Sequence, residues 1–287
     1  MKISASPGLN TAQSVDALVK TIRIPPRPGM LAEVQAELAQ AEPDPRRLAA
    51  IIANDVALSA SLLKLANSPF FGLRLKAKSV EHAVMLLGMQ QCALLLTGIL
   101  ARQTIQAEKV ALAKFWDFSA KRAQAMAELA RRLRVCSGDL AHTFGLFCDI
   151  GIPLLLERFP DYQATLDLAG QSATADFTAV EEQRHATSHA AIGSLMARTW
   201  GLPETVTLAI LLHHDYAVLE DRNTDEQVKN LIALAVLAEY SIQKYHGQPS
   251  SPEWEKGGPR ACLYLGLSGD EVDDRYEEVQ ELFNRGQ

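Results

Sequence analysis

The stretch KFWDFSAKRAQAMAELARRL, from Lys114 to Leu133, is long, rich in alanine and free of glycine and proline. Alanine is the strongest helix former and no breaker interrupts the run, so it reads as one long helix. The same period recurs outward from it. Met30, Leu31, Val34 and Leu38 form one apolar stripe. Leu48, Ile51 and Ile52 form another, opened by Asp44 as N-cap and Pro45 at the first helical position. Leu58, Leu62 and Leu65 continue after a break near Asn54, and Ser79 caps a helix carrying Val80, Val84 and Leu87 that Gly88 ends. Downstream, Gly138 to Phe159 reads as a buried helix with Gly151 and Pro153 as irregularities. Ser172 to Ala179 reads as a loop and Val180 to Thr199 as helix. After the break Gly201-Leu202-Pro203, Glu204 to Tyr216 and then Val228 to Tyr245 are helical. Strand alternation is nearly absent, so the expected fold class is all-α, with more than half the residues in helix and no sheet of three or more strands.

The 287 residues suffice for one large domain or two small ones, and 48% apolar with 22% charged residues is ordinary for a globular chain. A net charge of -6 argues against broad binding to nucleic-acid phosphates, which needs clustered Lys and Arg. Cys92, Cys136, Cys148 and Cys262 are isolated and form no CxxC pair, so neither a zinc ribbon nor a disulfide framework is expected, and the chain reads as cytosolic. Met1 to Val15 has no leader-like pattern. The most apolar run, Val84 to Ala101, is interrupted by Gln90 and Gln91 and reads as buried helix, so no membrane contact is expected. A composition shift near Gln103 to Lys109 divides an N-terminal helical bundle, residues 14–102, from a larger helical body, residues 103–245, that holds most of the histidines. His246 to Pro259, with three prolines and three glycines, reads as a linker, and the acidic end Gly269 to Gln287 as a short surface helix, so 246–287 is expected to be linker and tail.

Several phrases in consistent order resemble the HDOD family, the HD-related output domain. They are Ile24-Pro25-Pro26-Arg27-Pro28-Gly29; Asn54-Asp55 to Leu58 with Leu63-Lys64-Leu65-Ala66-Asn67-Ser68; and Ser79-Val80-Glu81-His82-Ala83-Val84 with Leu87-Gly88. Phe115-Trp116 with Ser119, Gly145 to Gly151, Ser188-His189-Ala190-Ala191-Ile192-Gly193 and Trp200-Gly201-Leu202-Pro203-Glu204 complete the set. The resemblance spans roughly residues 20 to 240 and leaves out the tail. It implies a helical bundle packed on a body related to HD-domain phosphohydrolases and to the HD-GYP enzymes of cyclic di-GMP hydrolysis. It also implies bacterial signal transduction.

Enzymes of the HD type hold metal with a histidine, a His-Asp pair and a later aspartate, and the metal activates water for attack on phosphorus. By the resemblance, the first histidine falls at Phe118, the pair becomes Cys148-Asp149, and the late aspartate falls at Glu239. Phe118 cannot ligate. Cys148 is either a thiolate ligand or a small core residue, and Asp149 either a ligand or a structural acceptor. His189 lies where HD-GYP enzymes place another ligand, and His185, four residues earlier, is expected on the same helix face. His213-His214-Asp215 is the most suggestive cluster. Helical neighbours diverge by about 100°, so both rings reach one site only at a helix end. The alternative is a helix C-terminus stabilised by His. No Gly-Tyr-Pro follows Asp215. A divalent ion on Asp149, His189, His213, His214 and Glu239 is the one cofactor expected, with Phe118 and Cys148 as degenerate ligand positions.

Other chemistry is unsupported: the chain has no GxxxxGK[ST] loop, no GxGxxG and no GxSxG elbow. Arg46 to Asn54 and Ala57 to Asn67 have helix-turn-helix spacing, followed by Arg74, Lys76 and Lys78, but the apolar Leu58, Leu62, Leu63 and Leu65 favour packing over DNA reading. In Asn67 to Lys78, at least one of Phe70 and Phe71 is expected to pack onto the second half. The reading is a non-enzymatic binding and output module with a signalling protein as partner and a small-molecule or nucleotide ligand allowed. The alternatives are a metal-dependent phosphohydrolase acting on a cyclic dinucleotide or nucleotide, and a nucleic-acid-binding regulator.

Overall fold

The computed structural model describes residues 22, 24–68, 71–105, 110–174, 176–248 and 250–285. The fold is all-α: 75% of the chain is helical and no strand occurs among the described residues. The N-terminal half comprises α1 (Gly29–Leu38), α2 (Pro45–Ala53), α3 (Val56–Ala66), α4 (Val80–Leu87) and α5 (Met89–Thr104). The body comprises α6 (Val110–Leu133), α7 (Gly138–Phe147), α8 (Gly151–Arg158), α9 (Tyr162–Gln171), α10 (Phe177–His185), α11 (His189–Thr199), α12 (Glu204–Leu212) and α13 (Glu226–Tyr245). A 3-10 turn, Tyr216–Leu219, precedes α13, and α14 (Pro252–Leu265) and α15 (Gly269–Arg285) close the chain.

Local chemistry sets the boundaries. Asp44 accepts from the Arg46 amide at 2.8 Å beside Pro45, Asp55 from Leu58 at 3.0 Å, and Ser79 from His82 at 3.1 Å. Gly88, at φ 86, ends α4 and turns the chain by 119° into α5, a conformation that a side chain would strain. The long α6 lies along α7 on one side and α13 on another, so it is the spine of the body. One contiguous cluster of buried residues runs from Ile22 to Phe283 across both halves. The proline-rich opening is tied down: the Trp200 indole N–H donates to the Pro25 carbonyl at 2.9 Å, and the Gln35 amide donates to the Trp200 carbonyl at 2.7 Å.

Four readings need correction. Gly138 to Phe159 is not one helix but α7 and α8, separated by a turn at 148–150 that holds Asp149. As one stretch, Gly138–Arg158 is long and apolar enough to cross a membrane, yet 61% of its apolar window is buried against the rest of the chain. Val180 to Thr199 is likewise two helices, because Ala186 adopts a left-handed φ of 55 and Ser188 caps a new start. His185 and His189 therefore do not share a face. The expected loop 172–179 already contains the start of α10 at Phe177. Finally, the linker over His246 to Pro259 is largely helix. Pro252 sits at the first helical turn, where its missing N–H costs nothing, and Ser251 caps it through Trp254 at 3.2 Å. Trp254 stacks on Tyr240 of α13 at 3.9 Å, which fixes α14 to the body.

Phe71 is half-buried and faces His142 of α7 with ring centroids 6.3 Å apart, so it does pack on the second half. Phe70, residues 14–21 of the expected bundle and residues 106–109 at the expected boundary lie outside the described residues. Leu58 and Leu62 are buried in the core, as packing requires, whereas Leu65 is 40% exposed.

Candidate metal centre

Asp149, His189, His213 and His214 converge, each offering a ligand atom within 4.8 Å of the others. The backbone explains how. Asp149 sits in the tight turn between α7 and α8. Gly151, which opens α8, lies so close to α11 that a Cβ there would come within 2.1 Å of the His189 carbonyl oxygen. Only glycine permits that approach, which sets Asp149 beside the first residue of α11. His213 is the C-cap of α12 and His214 follows as the chain leaves the helix. This is the helix-end arrangement in which both rings face one site, with centroids 4.2 Å apart.

Each histidine has its Nδ1 committed elsewhere. His189 Nδ1 meets the Glu181 carboxylate at 2.8 and 2.9 Å, His213 Nδ1 the Ile210 carbonyl at 2.7 Å, and His214 Nδ1 the Glu253 carboxylate at 2.9 Å. Acceptors on Nδ1 place the proton there and turn the Nε2 lone pair inward, the arrangement that metal-binding histidines use. His189 Nε2 and His213 Nε2 lie 3.1 Å apart, and Asp149 Oδ1 lies 3.4 Å from the first and 3.2 Å from the second. Ligand atoms about 2.0–2.1 Å from a tetrahedral ion are roughly 3.3–3.4 Å apart, so these three separations fit one first-row divalent ion. Two imidazole lone pairs and a carboxylate this close require a cation between them. Burial disfavours the His189 imidazolium, but the Glu181 and Asp149 carboxylates outweigh it and push the pKa up to about 10. Burial and the neighbouring His213 pull His214 down to about 4, which keeps it a neutral donor. Phe177 stacks on His214 at 4.6 Å.

Glu239 does not join these four. It is held by Arg122, a fully buried residue of α6. The Arg122 guanidinium donates to Asp149 Oδ2 and, at 2.9 Å, to Glu239 Oε1, while its Nε donates to the Gly145 carbonyl at 2.9 Å. The Phe118 ring lies 5.5 Å from the guanidinium carbon. Cys148 is fully buried beside it, and that burial holds its thiol well above the usual range, as a core residue and not a thiolate. Phe118, Cys148, Asp149 and Glu239 therefore surround one guanidinium. Burial raises the Asp149 pKa, but Arg122 first and the two histidines next reverse this and hold it well below the carboxylate range. The same burial leaves the Glu239 pKa raised despite Arg122.

Sequence reasoning missed Arg122, Glu181, Glu253 and Phe177. Arg122 had a signal: it lies one helical turn after Phe118, inside an alanine-rich stripe where a buried charge demands partners. Glu181 is half of an unremarkable Glu181-Glu182 pair, and Glu253 was hidden in the supposed linker. His185, by contrast, lies away from the site, bonded to Thr165 at 2.8 Å and packed on Phe159.

Fold and site together define an HD-like helical protein with a three-histidine, one-carboxylate centre. The chain belongs to the HDOD domain family, whose family model matches residues 24–216. Among solved structures, it resembles a candidate phosphohydrolase of Shewanella amazonensis SB2B (TM-score 0.71, 22% identity, 97% of this chain and 96% of that one). It also resembles an HDOD domain protein of unknown function from Geobacter sulfurreducens (TM-score 0.68, 18% identity, 96% of each chain). An uncharacterized Treponema pallidum (strain Nichols) protein is 26% identical over 230 residues, which cover 78% of this chain but 43% of that protein. The chain thus matches less than half the length of that relative.

Proposed function

We propose that this chain is a non-enzymatic binding and output module of bacterial signal transduction, acting on a protein partner from the cytoplasm, with one divalent-ion position retained from an HD-type site. The observation that carries the reading is the Arg122 guanidinium. It occupies the space between Asp149 and Glu239, under Phe118 and beside Cys148, the positions that the resemblance assigns to metal ligands. A fixed cation there repels a second metal and consumes Asp149 Oδ2, so a two-ion clamp for phosphoryl transfer does not assemble. Asp149, His189, His213 and His214 would hold the remaining ion, which supplies Lewis acidity and a fixed charge when bound. Glu181 and Glu253 orient two of these rings, and Phe177 stacks on His214. Four free cysteines, two of them buried, support the cytoplasmic part of the reading.

The converging Nε2 atoms favour a second reading, a one-metal phosphohydrolase acting on a cyclic dinucleotide or nucleotide. Assays with cyclic di-GMP, nucleotides and bis(p-nitrophenyl) phosphate, with Mg, Mn, Fe, Ni or Zn added, separate the two. The proposal expects no metal-dependent turnover above that of Asp149→Ala protein. Turnover that Asp149→Ala abolishes would replace it with the hydrolase reading.

A further inference from the structure

A cavity of about 720 Å³ opens between α3, α5, α6 and α7, where the N-terminal half meets the body. That is the size of sites that take small organic ligands. It is built on fixed walls. At Gly98, α5 crosses α7 so closely that a Cβ would lie 2.3 Å from the Leu146 side chain. Trp116, Ala120 and Gln124 line one face of α6 at successive helical turns, while Phe118 and Arg122 lie on the opposite face toward the metal centre.

Lys64 of α3 and Arg102 of α5 both line this cavity, and among the described residues neither has an ion-pair partner. In a chain of net charge -6, two cations on one concave surface, neither with an ion-pair partner among the described residues, favour an anion. A guanidinium fork and an ammonium together match a phosphate group. Trp116 is a core residue, and the 7% of its surface that stays exposed reaches the cavity as an apolar contact for a ring. Gln124 supplies an amide, and His142, pulled down to about 4 by burial, is a neutral hydrogen-bonding group. We propose that this cavity binds a nucleotide-sized anion, with its phosphate on Lys64 and Arg102 and its base against Trp116. The site is separate from Asp149 and its histidines and does not depend on the metal reading.

The test is titration calorimetry of the full chain with the four common nucleoside 5′-monophosphates, with adenosine and inorganic phosphate as partial probes. The expected result is saturable binding of at least one monophosphate, one per chain. It should weaken at least tenfold in Lys64→Ala/Arg102→Ala protein while the melting temperature holds, because both side chains are exposed. Trp116→Phe should weaken the nucleotide and leave phosphate unchanged. Asp149→Ala should change neither. Absence of saturable binding by all four nucleotides at millimolar concentration would overturn the proposal. So would binding that the charge-removing double variant leaves intact, or adenosine binding as tightly as AMP.

Discussion

Arg122 has no exposed surface and carries two half-buried carboxylates, so its loss leaves Glu239 without its guanidinium partner and Asp149 with only the two histidines. Breaking a fully buried pair costs roughly 3–5 kcal/mol, and the partial exposure of both acids puts this cluster below that range. Arg122→Ala should therefore lower the urea midpoint sharply. Arg122→Lys should recover only part, since an ammonium keeps the charge but loses the fork that also reaches the Gly145 carbonyl. His142 gives a pH dependence with a defined sign. Its pKa in the folded chain, about 4, lies below its usual 6.5, so the unfolded chain binds more protons between those values. Its contribution to stability is full above pH 6.5 and is lost as pH falls toward 4. Denaturant midpoints at pH 7 and pH 5 should differ less in His142→Asn than in the parent.

The elements act mainly by placing turns. Gly151→Ala would push a Cβ against the His189 carbonyl oxygen, and relief requires moving α8 from α11. We expect a loss of about 1–3 kcal/mol together with loss of any metal-induced rise in Tm. In α14, Glu253→Gln removes the carboxylate that fixes His214, and should weaken divalent-ion affinity by about 10–100-fold without unfolding the chain. Competition with a coloured chelator measures this. These elements also show where the sequence was legible. The helices with polar caps and clean stripes, such as Asp44-Pro45 and Ser79, were readable because capping is local. The break at 148–150 was not, because the apolar period continues through it and only tertiary contacts decide that the chain turns; the break at 186–188 carried a local signal, the cap Ser188, that was passed over. Prolines misled at α14, where Pro252 starts the helix and Pro259 sits inside it. The site was half legible: Asp149, His189, His213 and His214 could be named from residue type and resemblance. The partners that tune them come from distant, unpatterned positions, as Glu181 and Glu253 do.

For the whole molecule, the continuous core from Ile22 to Phe283 and the Trp200 links to Pro25 and Gln35 tie the first helices to the metal-centre body. Trp200→Phe keeps the ring but removes the indole donor, leaving the Pro25 carbonyl without that partner. It should loosen the opening segment, seen as faster amide exchange or proteolysis near residues 24–28, with a cost near 1–3 kcal/mol. The central claim is that one cation position in this fold is filled permanently by Arg122 and the other remains open to metal. The most direct measurement is divalent-ion stoichiometry, by elemental analysis of protein equilibrated with Zn, Fe, Mn or Ni and freed of excess. The account predicts one ion per chain, and none in Asp149→Ala/His213→Ala protein of unchanged helicity. Two ions per chain, or one ion that survives the double substitution, would contradict it.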